Sequence, residues 1–467
     1  MSIVERSLQF PPFLCCMGVF SMNKRIALGW SLVGVVAVAC SPDSVTTPKN
    51  DEGAFRESGV ALDLIPPGQT IPFIPVASSA ACTVGGRGGQ QLVLPQGYIY
   101  SVVASQGPGF GDNADMNTMS EGGPNKGRFL YRTHEVNPNG SVSVTDLVTG
   151  ASRILAQRMD WERFDGIVWT PWNTILAAEE VNPSSRADPD VPQATGGLVY
   201  EIDPETGVAT VRPALGAMAH EGIRIGSDGN VYEGEDDGPG HVFKFVPDTK
   251  GDLSSGQLYA LKITNDVGDR TGDAVWVPLD RNAVQVNANT EAIAKGATGY
   301  SAVEDLEIGS STGDDHRGNH TLFVAVSGED RILAVDLNGH GSADVVVSDY
   351  VRKGVNAPAD FDSPDNVALD RSGNLYITED PGGSAPSKTL GDDVWFAPFN
   401  QQSGAQALPI QRFFSITDCN AEPSGLYMSI SNRTLFVSLQ HRGGDGADLT
   451  VAIQRLPDVS FNRIRGN

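Results

Sequence analysis

Carboxylates recur at matching places along this chain. Glu179-Glu180 closes the run Ile175-Leu176-Ala177-Ala178, Glu235-Asp236-Asp237 closes Val231-Tyr232-Glu233-Gly234, and Glu379-Asp380 closes Leu375-Tyr376-Ile377-Thr378. A second set lies in the short apolar runs that open the same segments: Asp165, Glu221, Glu304 and Asp365. Adjacent carboxylates at the end of an apolar strand are costly unless water or a cation offsets their charge. Oxygen ligands of this kind suit hard cations, Ca²⁺ first and Mg²⁺ or Mn²⁺ second, and ferric iron is also compatible with them. The candidate metal ligands are therefore Glu179, Glu180, Glu221, Asp236, Asp237, Glu304, Asp365, Glu379 and Asp380. Consecutive strand residues point to opposite faces, so one member of each adjacent pair is expected to reach a shared centre. A single acid of this kind is explained equally well by turn capping or a surface ion pair. Recurrence over several segments is what favours a common site, one able to polarise a phosphoryl group.

Other chemistries find less support. His134, His220, His241 and His441 are scattered, and His220, beside Glu221, is the strongest candidate among them. There is no Gly-x-Ser-x-Gly elbow and no phosphate-cradling glycine loop that opens a helix. Trp161, Trp169 and Trp172 are expected to pack between strands.

The elements that must position the acids are short apolar or alternating runs bounded by Asp-Gly, Thr-Gly and Asn-Gly turns, with no strong amphipathic helix. A strand–turn–strand unit recurs over residues 164–211, 220–263, 303–335, 364–396 and 425–454. A further unit is expected over 97–155, from strands near 98–103, 128–133, 142–146 and 153–155. Six such meanders predict an all-β chain folded as a six-bladed β-propeller, preferred to a double-layer sandwich because the unit is so regular. Two insertions, 265–298 and 382–392, are expected to be long loops over a face.

Of 467 residues, 57 are Asp or Glu against 33 Lys or Arg, a net charge of -24. That balance argues against nucleic acid or an anionic membrane surface as a partner. Met22-Asn23-Lys24-Arg25 begins a positive segment, 26–39 is apolar but short for a membrane span, and Ala37-Val38-Ala39-Cys40 has the form of a bacterial lipoprotein signal. Residues 1–21 then precede the true start. The expected layout is 1–40 start plus signal, 41–80 flexible tether, and 81–467 propeller domain, with Cys40 lipidated and the protein exported to the periplasm or cell surface as an outer-membrane lipoprotein. A lipid anchor is the one membrane contact expected, and the protein is expected to be a monomer. Cys15 and Cys16 fall before the start. Cys82 and Cys419 remain, and both a disulfide and two buried thiols fit them.

Thr170-Pro171-Trp172-Asn173-Thr174 followed by Glu179-Glu180 resembles the signature of PhoX-type alkaline phosphatases. His220-Glu221-Gly222, Gly234-Glu235-Asp236-Asp237, Val303-Glu304-Asp305, Ser363-Pro364-Asp365-Asn366-Val367-Ala368, Glu422-Pro423-Ser424-Gly425 and Leu435-Phe436-Val437-Ser438-Leu439-Gln440-His441 follow in that family's order, over residues 127–444. The resemblance implies a six-bladed propeller, export, and hydrolysis of small phosphomonoesters by an iron–calcium cluster. Two places depart from the family pattern. Ala178 stands where the family has an iron-binding Cys, and Ala302 where it has an Arg that holds the substrate phosphate. Both departures shift the expectation from iron towards calcium. They also keep two other functions open: a catalytically silent calcium-bound propeller that binds a partner at the surface, and a calcium-dependent lactonase-type hydrolase with His220 as its base.

Overall fold

The computed structural model describes residues 73–105, 113–309, 320–338, 344–400, 406–443 and 447–456. The signal segment with Cys15, Cys16 and Cys40 lies outside them, as does most of the tether. The described chain is almost entirely β, with a single α-helix, Ala288–Lys295. No helix among the described residues is long and apolar enough to cross a membrane.

The strands form consecutive antiparallel meanders in a propeller-like arrangement, but not as six separate sheets. Four sheets have four or five strands and one has nine. The nine-stranded sheet joins the meander that begins at His220–Ile225 to the one that begins at Val303–Ile308. The joint is made by an unusually long strand, Asp252–Gly268, of 17 residues. It outruns its own sheet and pairs with Thr271–Pro278, which pairs on its other side with Val345–Arg352. Free strand edges invite pairing, and here the chain satisfies two of its own. This also corrects the expected loop at 265–298. Those residues are the end of the long strand, the strand Thr271–Pro278 and the helix Ala288–Lys295, capped by Asn287, whose side chain accepts from the Thr290 amide. Residues 382–392 do form an irregular loop, touched by a bridge between Ala81 and Leu390.

The N-terminal unit also differs from the expectation. Tyr98–Ser105 pairs with Leu449–Arg455 and so completes the last sheet, built on Glu422–Met428 and Thr434–Gln440. The first sheet instead opens with Ala114–Met119, followed by Phe129–His134, Ser141–Asp146 and Ser152–Gln157. The two ends of the domain thus close the ring together. Cys82 and Cys419 are disulfide-bonded and add a covalent tie between the same ends.

The meanders open with Ala114–Met119, Phe164–Trp169, His220–Ile225, Val303–Ile308, Pro364–Leu369 and Glu422–Met428. Each of these strands packs against the next, and the last packs against the first, so that they close a ring. Apolar clusters fill the space between neighbouring sheets. Phe164 packs edge to face with Trp161 and Tyr200 in one of them, and in another Tyr98 does so with Phe73 and Phe413, and Tyr376 with Phe413. Burying each such ring stabilises by about 1.5–3 kcal/mol. Trp172 is tied down by its indole N–H, which donates to Glu201 Oε1 at 2.6 Å.

Candidate metal centre

Every opening strand carries the same irregularity. Two residues oppose one on the second strand at 115–116, 165–166, 221–222, 304–305, 365–366 and 425–426. A bulge re-aims its side chain, and repeated around a ring it re-aims them all to the same end. In five of the six the first bulged residue is an acid: Asp115, Asp165, Glu221, Glu304 and Asp365. The sixth has Gly425 there, and a Cβ at Gly425 would collide with the Asp115 carbonyl oxygen. The bulges nest in the same way elsewhere: a Cβ on Gly166 would strike the Glu221 carbonyl, and one on Gly222 would strike Asp305.

A second set of side chains joins the first through a repeated backbone clamp. The residue that directly follows the second strand donates its N–H to the carbonyl oxygen two residues before the bulged acid. The pairs are Glu135 to Asn113 (3.0 Å), Glu180 to Arg163 (2.8 Å), Asp236 to Ala219 (3.1 Å), Ser327 to Ala302 (3.0 Å) and Asp380 to Ser363 (3.0 Å). Four of the accepting residues, Asn113, Arg163, Ala302 and Ser363, have left-handed backbones with φ of 58°, 37°, 53° and 42°. Side chains tolerate that region poorly, so its recurrence marks a constrained strand entry.

The clamp gives a belt of acids. Asp115, Glu135 and Asp165 have ligand oxygens within 4.8 Å of one another; so do Asp165, Glu180 and Glu221, and so do Glu221, Asp236 and Glu304. The groups share Asp165 and Glu221, and they run without a break across four neighbouring repeats. Asp365, Asp380 and Glu422 continue the belt: Asp365 feels Glu304, Asp115, Asp380 and Glu422, and Glu422 feels Asp380 and Asp115. Burial, reinforced by these neighbours, drives Asp165, Glu221, Asp365 and Glu422 well above the ordinary carboxylate range. Burial with Glu135 pushes Asp115 up to about 7, burial with Asp236 pushes Glu304 up to about 8, and burial with Asp237 pushes Asp236 up to about 6. The countercharge is sparse. Arg163 Nη2 pairs with Glu180 and, at 3.2 Å, with Glu135. His441 Nε2 lies 3.5 Å from Glu422. Asp165 Oδ1 is buried with no hydrogen-bond donor among the described residues. Carboxylates this close, this buried and this poorly paired fit hard cations held between them. The buried residue beside Glu179, Ala178, offers no sulfur.

The expected ligands therefore divide. Glu180, Glu221, Asp236, Glu304, Asp365 and Asp380 meet in the belt. Glu179, Asp237 and Glu379 do not, because each turns back into its own sheet or loop. Glu179 accepts from the amides of Glu162 (2.8 Å) and Leu198 (2.9 Å), Glu379 from that of Asp362 (2.7 Å), and Asp237 from the side chains of Asn182 (2.6 Å) and Asn289 (3.1 Å). The alternation expected of adjacent strand residues separates Glu179 from Glu180 and Glu379 from Asp380. Asp115, Glu135 and Glu422 join the belt without having been expected there. Asp115 and Glu135 belong to the repeat whose opening strand was misplaced, yet Glu135 follows its strand just as Glu180 does.

His220 is fully buried inside its own sheet, where Nδ1 shares a hydrogen bond with Glu233 at 2.7 Å and Nε2 lies 3.3 Å from the Gly216 carbonyl. It is tied to Glu233 and Gly216 instead, so His220 is not placed to serve as the base of the lactonase-type reading. His241 is buried 3.6 Å from Glu235, its pKa pushed down to about 4 by burial, and His134 bonds Ser143. Further along the opening strands, Arg224 pairs with Asp305 and Glu307, both at 3.2 Å, and Tyr427 donates to Glu121 at 2.7 Å. These buried and half-buried groups come from four repeats and interact with one another.

Residues 168–345 and 336–443 match the family described as alkaline phosphatase PhoX. Among solved structures, PhoX of Pseudomonas fluorescens in complex with vanadate, a transition state analogue, is similar with a TM-score of 0.62 and 19% identity, over 83% of this chain and 98% of that one. A catalytically inactive virginiamycin B lyase from Staphylococcus aureus follows at a TM-score of 0.42 and 11% identity, over 76% of this chain and 99% of that one. No curated protein matches the sequence.

Proposed function

The chain belongs to the PhoX alkaline phosphatase family, and from that premise we propose that it is an exported phosphomonoesterase whose carboxylate belt holds a calcium cluster. The observation that carries this is the run of three overlapping carboxylate triads, each within 4.8 Å. Asp115, Glu135, Asp165, Glu180, Glu221, Asp236 and Glu304 would hold the cations, with Asp365, Asp380 and Glu422 completing the circle. Cations bound there supply positive charge to the phosphoryl oxygens of a small substrate and polarise the phosphorus. The chain's own part is positional. The bulges and clamps fix the acids before any ion arrives, so little ordering is left to oppose binding. Ala178 leaves out the thiolate that the resemblance gives to iron, and the oxygen donors that remain suit calcium. Reading the nine-stranded sheet as two fused blades would bring the number of blades to the six that the sequence repeats suggest. Lipidation at Cys40 would hold the monomer at the outer membrane.

The test is hydrolysis of 4-nitrophenyl phosphate by protein stripped with a chelator and then given Ca²⁺, Mg²⁺, Mn²⁺ or Fe³⁺ separately. Calcium alone is expected to restore turnover. Calcium binding without turnover under any metal would select the second reading, a silent calcium propeller that binds a surface ligand, which Ala178 and Ala302 favour.

A further inference from the structure

The clamp residues form a ring of their own. Asn113, Arg163, Ala219, Ala302 and Ser363 occupy one equivalent place in five successive repeats, each two residues before a belt acid and each with its carbonyl oxygen taken by the neighbouring rim amide. Four of the five are uncharged and short. Arg163 alone puts a cation there. Its backbone is fixed at both ends, the N–H donating to Val136 and the carbonyl accepting from Glu180. Its side chain is 44% exposed, although it stands against acids that are 11% exposed. Both of its ion pairs use Nη2, so Nη1 and Nε have no partner among the described residues. Two lysines on neighbouring loops are already committed, Lys353 to Asp330 and Asp362, and Lys388 to Asp392.

An arginine used only to neutralise acids would spend its planar fork on them, two parallel bonds to one carboxylate. Arg128 does this on this protein's surface with Asp146. Arg163 instead bridges two acids with one nitrogen and leaves the rest of the fork free at the mouth. From this geometry we infer that Arg163 is the substrate-binding residue of the belt, its open edge taking two oxygens of a phosphomonoester dianion seated on the belt's cations. This rests on the phosphatase reading above and adds to it the residue that recognises the phosphate.

The experiment compares wild type, Arg163→Gln and Arg163→Lys at saturating calcium. It measures kcat and KM for 4-nitrophenyl phosphate, Ki for inorganic phosphate, and bound calcium. Losing a charged, bidentate contact is expected to raise Ki and KM about 10- to 100-fold in Arg163→Gln. Lysine keeps the charge without the fork and is expected to recover part of that loss. Calcium content is expected to stay at the wild-type value or rise, since a competing cation has gone. A Ki for Arg163→Gln within twofold of wild type overturns the inference, and so does a Lys variant equal to wild type, which would reduce Arg163 to a charge neutraliser. The Lys variant alone decides the matter should Arg163→Gln fail to fold. If wild type neither hydrolyses the ester nor binds phosphate, the phosphatase reading has failed as well, a result that cannot be confused with the loss of Arg163 alone.

Discussion

Glu221 is the carboxylate on which the belt turns. It is shared between the triad with Asp165 and Glu180 and the triad with Asp236 and Glu304. Glu221→Gln keeps its shape and removes one anionic ligand from two adjacent positions. Two unit charges about 4 Å apart at an effective dielectric of about 20 interact by about 4 kcal/mol, and a dication doubles that before desolvation is subtracted. A net loss of about 3 kcal/mol per position is a fair central figure, or about 100-fold in affinity at about 1.4 kcal/mol per decade. Glu180 belongs to one triad only, so Glu180→Gln is expected to weaken one ion where Glu221→Gln weakens two. Glu179 is adjacent in sequence but spends both oxygens on the amides of Glu162 and Leu198. Glu179→Gln is therefore expected to leave calcium uptake at the wild-type level. Calorimetric titration with calcium, together with elemental analysis after dialysis, separates the three. A Glu221→Gln protein that binds as many calcium ions as wild type, equally tightly, would refute the belt as a metal site. So would a Glu179→Gln protein that loses more calcium than the Glu221 variant.

The chelated protein should lose stability as pH rises. Asp236, Asp115 and Glu304 are pushed up to about 6, 7 and 8, so between the ordinary carboxylate value of about 4 and those values the folded state holds protons that the unfolded state has released. The melting temperature in chelator is expected to fall between about pH 4 and pH 8, and calcium, by replacing the protons, should flatten the slope; a flat chelator profile would count against it. Ala178→Cys returns a soft ligand beside the belt, and after iron loading it should show a thiolate-to-iron absorption band that wild type lacks. Cys419→Ala breaks the tie to Cys82 across 337 residues and is expected to cost about 2–5 kcal/mol, read as a lower melting temperature than wild type under oxidising conditions. Gly222→Ala should destabilise sharply, because its new methyl meets the Asp305 carboxylate, whereas Gly238→Ala, with open space around it and no left-handed backbone, should cost far less.

Strands ending in acids announce the belt because the same local pattern, an apolar run and then a carboxylate, serves in each repeat. What the local pattern cannot carry is partner choice. Tyr98–Ser105 reads as a good strand, yet nothing near it in sequence says that it pairs with Leu449–Arg455. That pairing displaced the first repeat, and with it Asp115 and Glu135, since the true opening strand, Ala-Asp-Met-Asn-Thr-Met, has none of the apolar regularity that marks a strand. The union of two meanders into nine strands was hidden for a related reason: Asp252–Gly268 is polar and exposed where it outruns its sheet, so its far end looked like loop. Glu179 and Glu180 show the other limit. Strand alternation says that one of the two must turn away, and the choice is made by the Glu162 and Leu198 amides, which no spacing rule locates. The bulge is the deciding device throughout. It shifts register by one residue at the same place in all six opening strands, and so turns acids that a regular strand would bury between sheets towards a single belt. A repeat with its bulge intact and its bulged acid replaced, as Gly425 replaces it in the sixth, keeps the fold and loses that one carboxylate, although Glu422 of the same strand still faces Asp380 and Asp115. The fold and the belt can therefore diverge independently: the bulges keep the strands in place whichever side chains they carry.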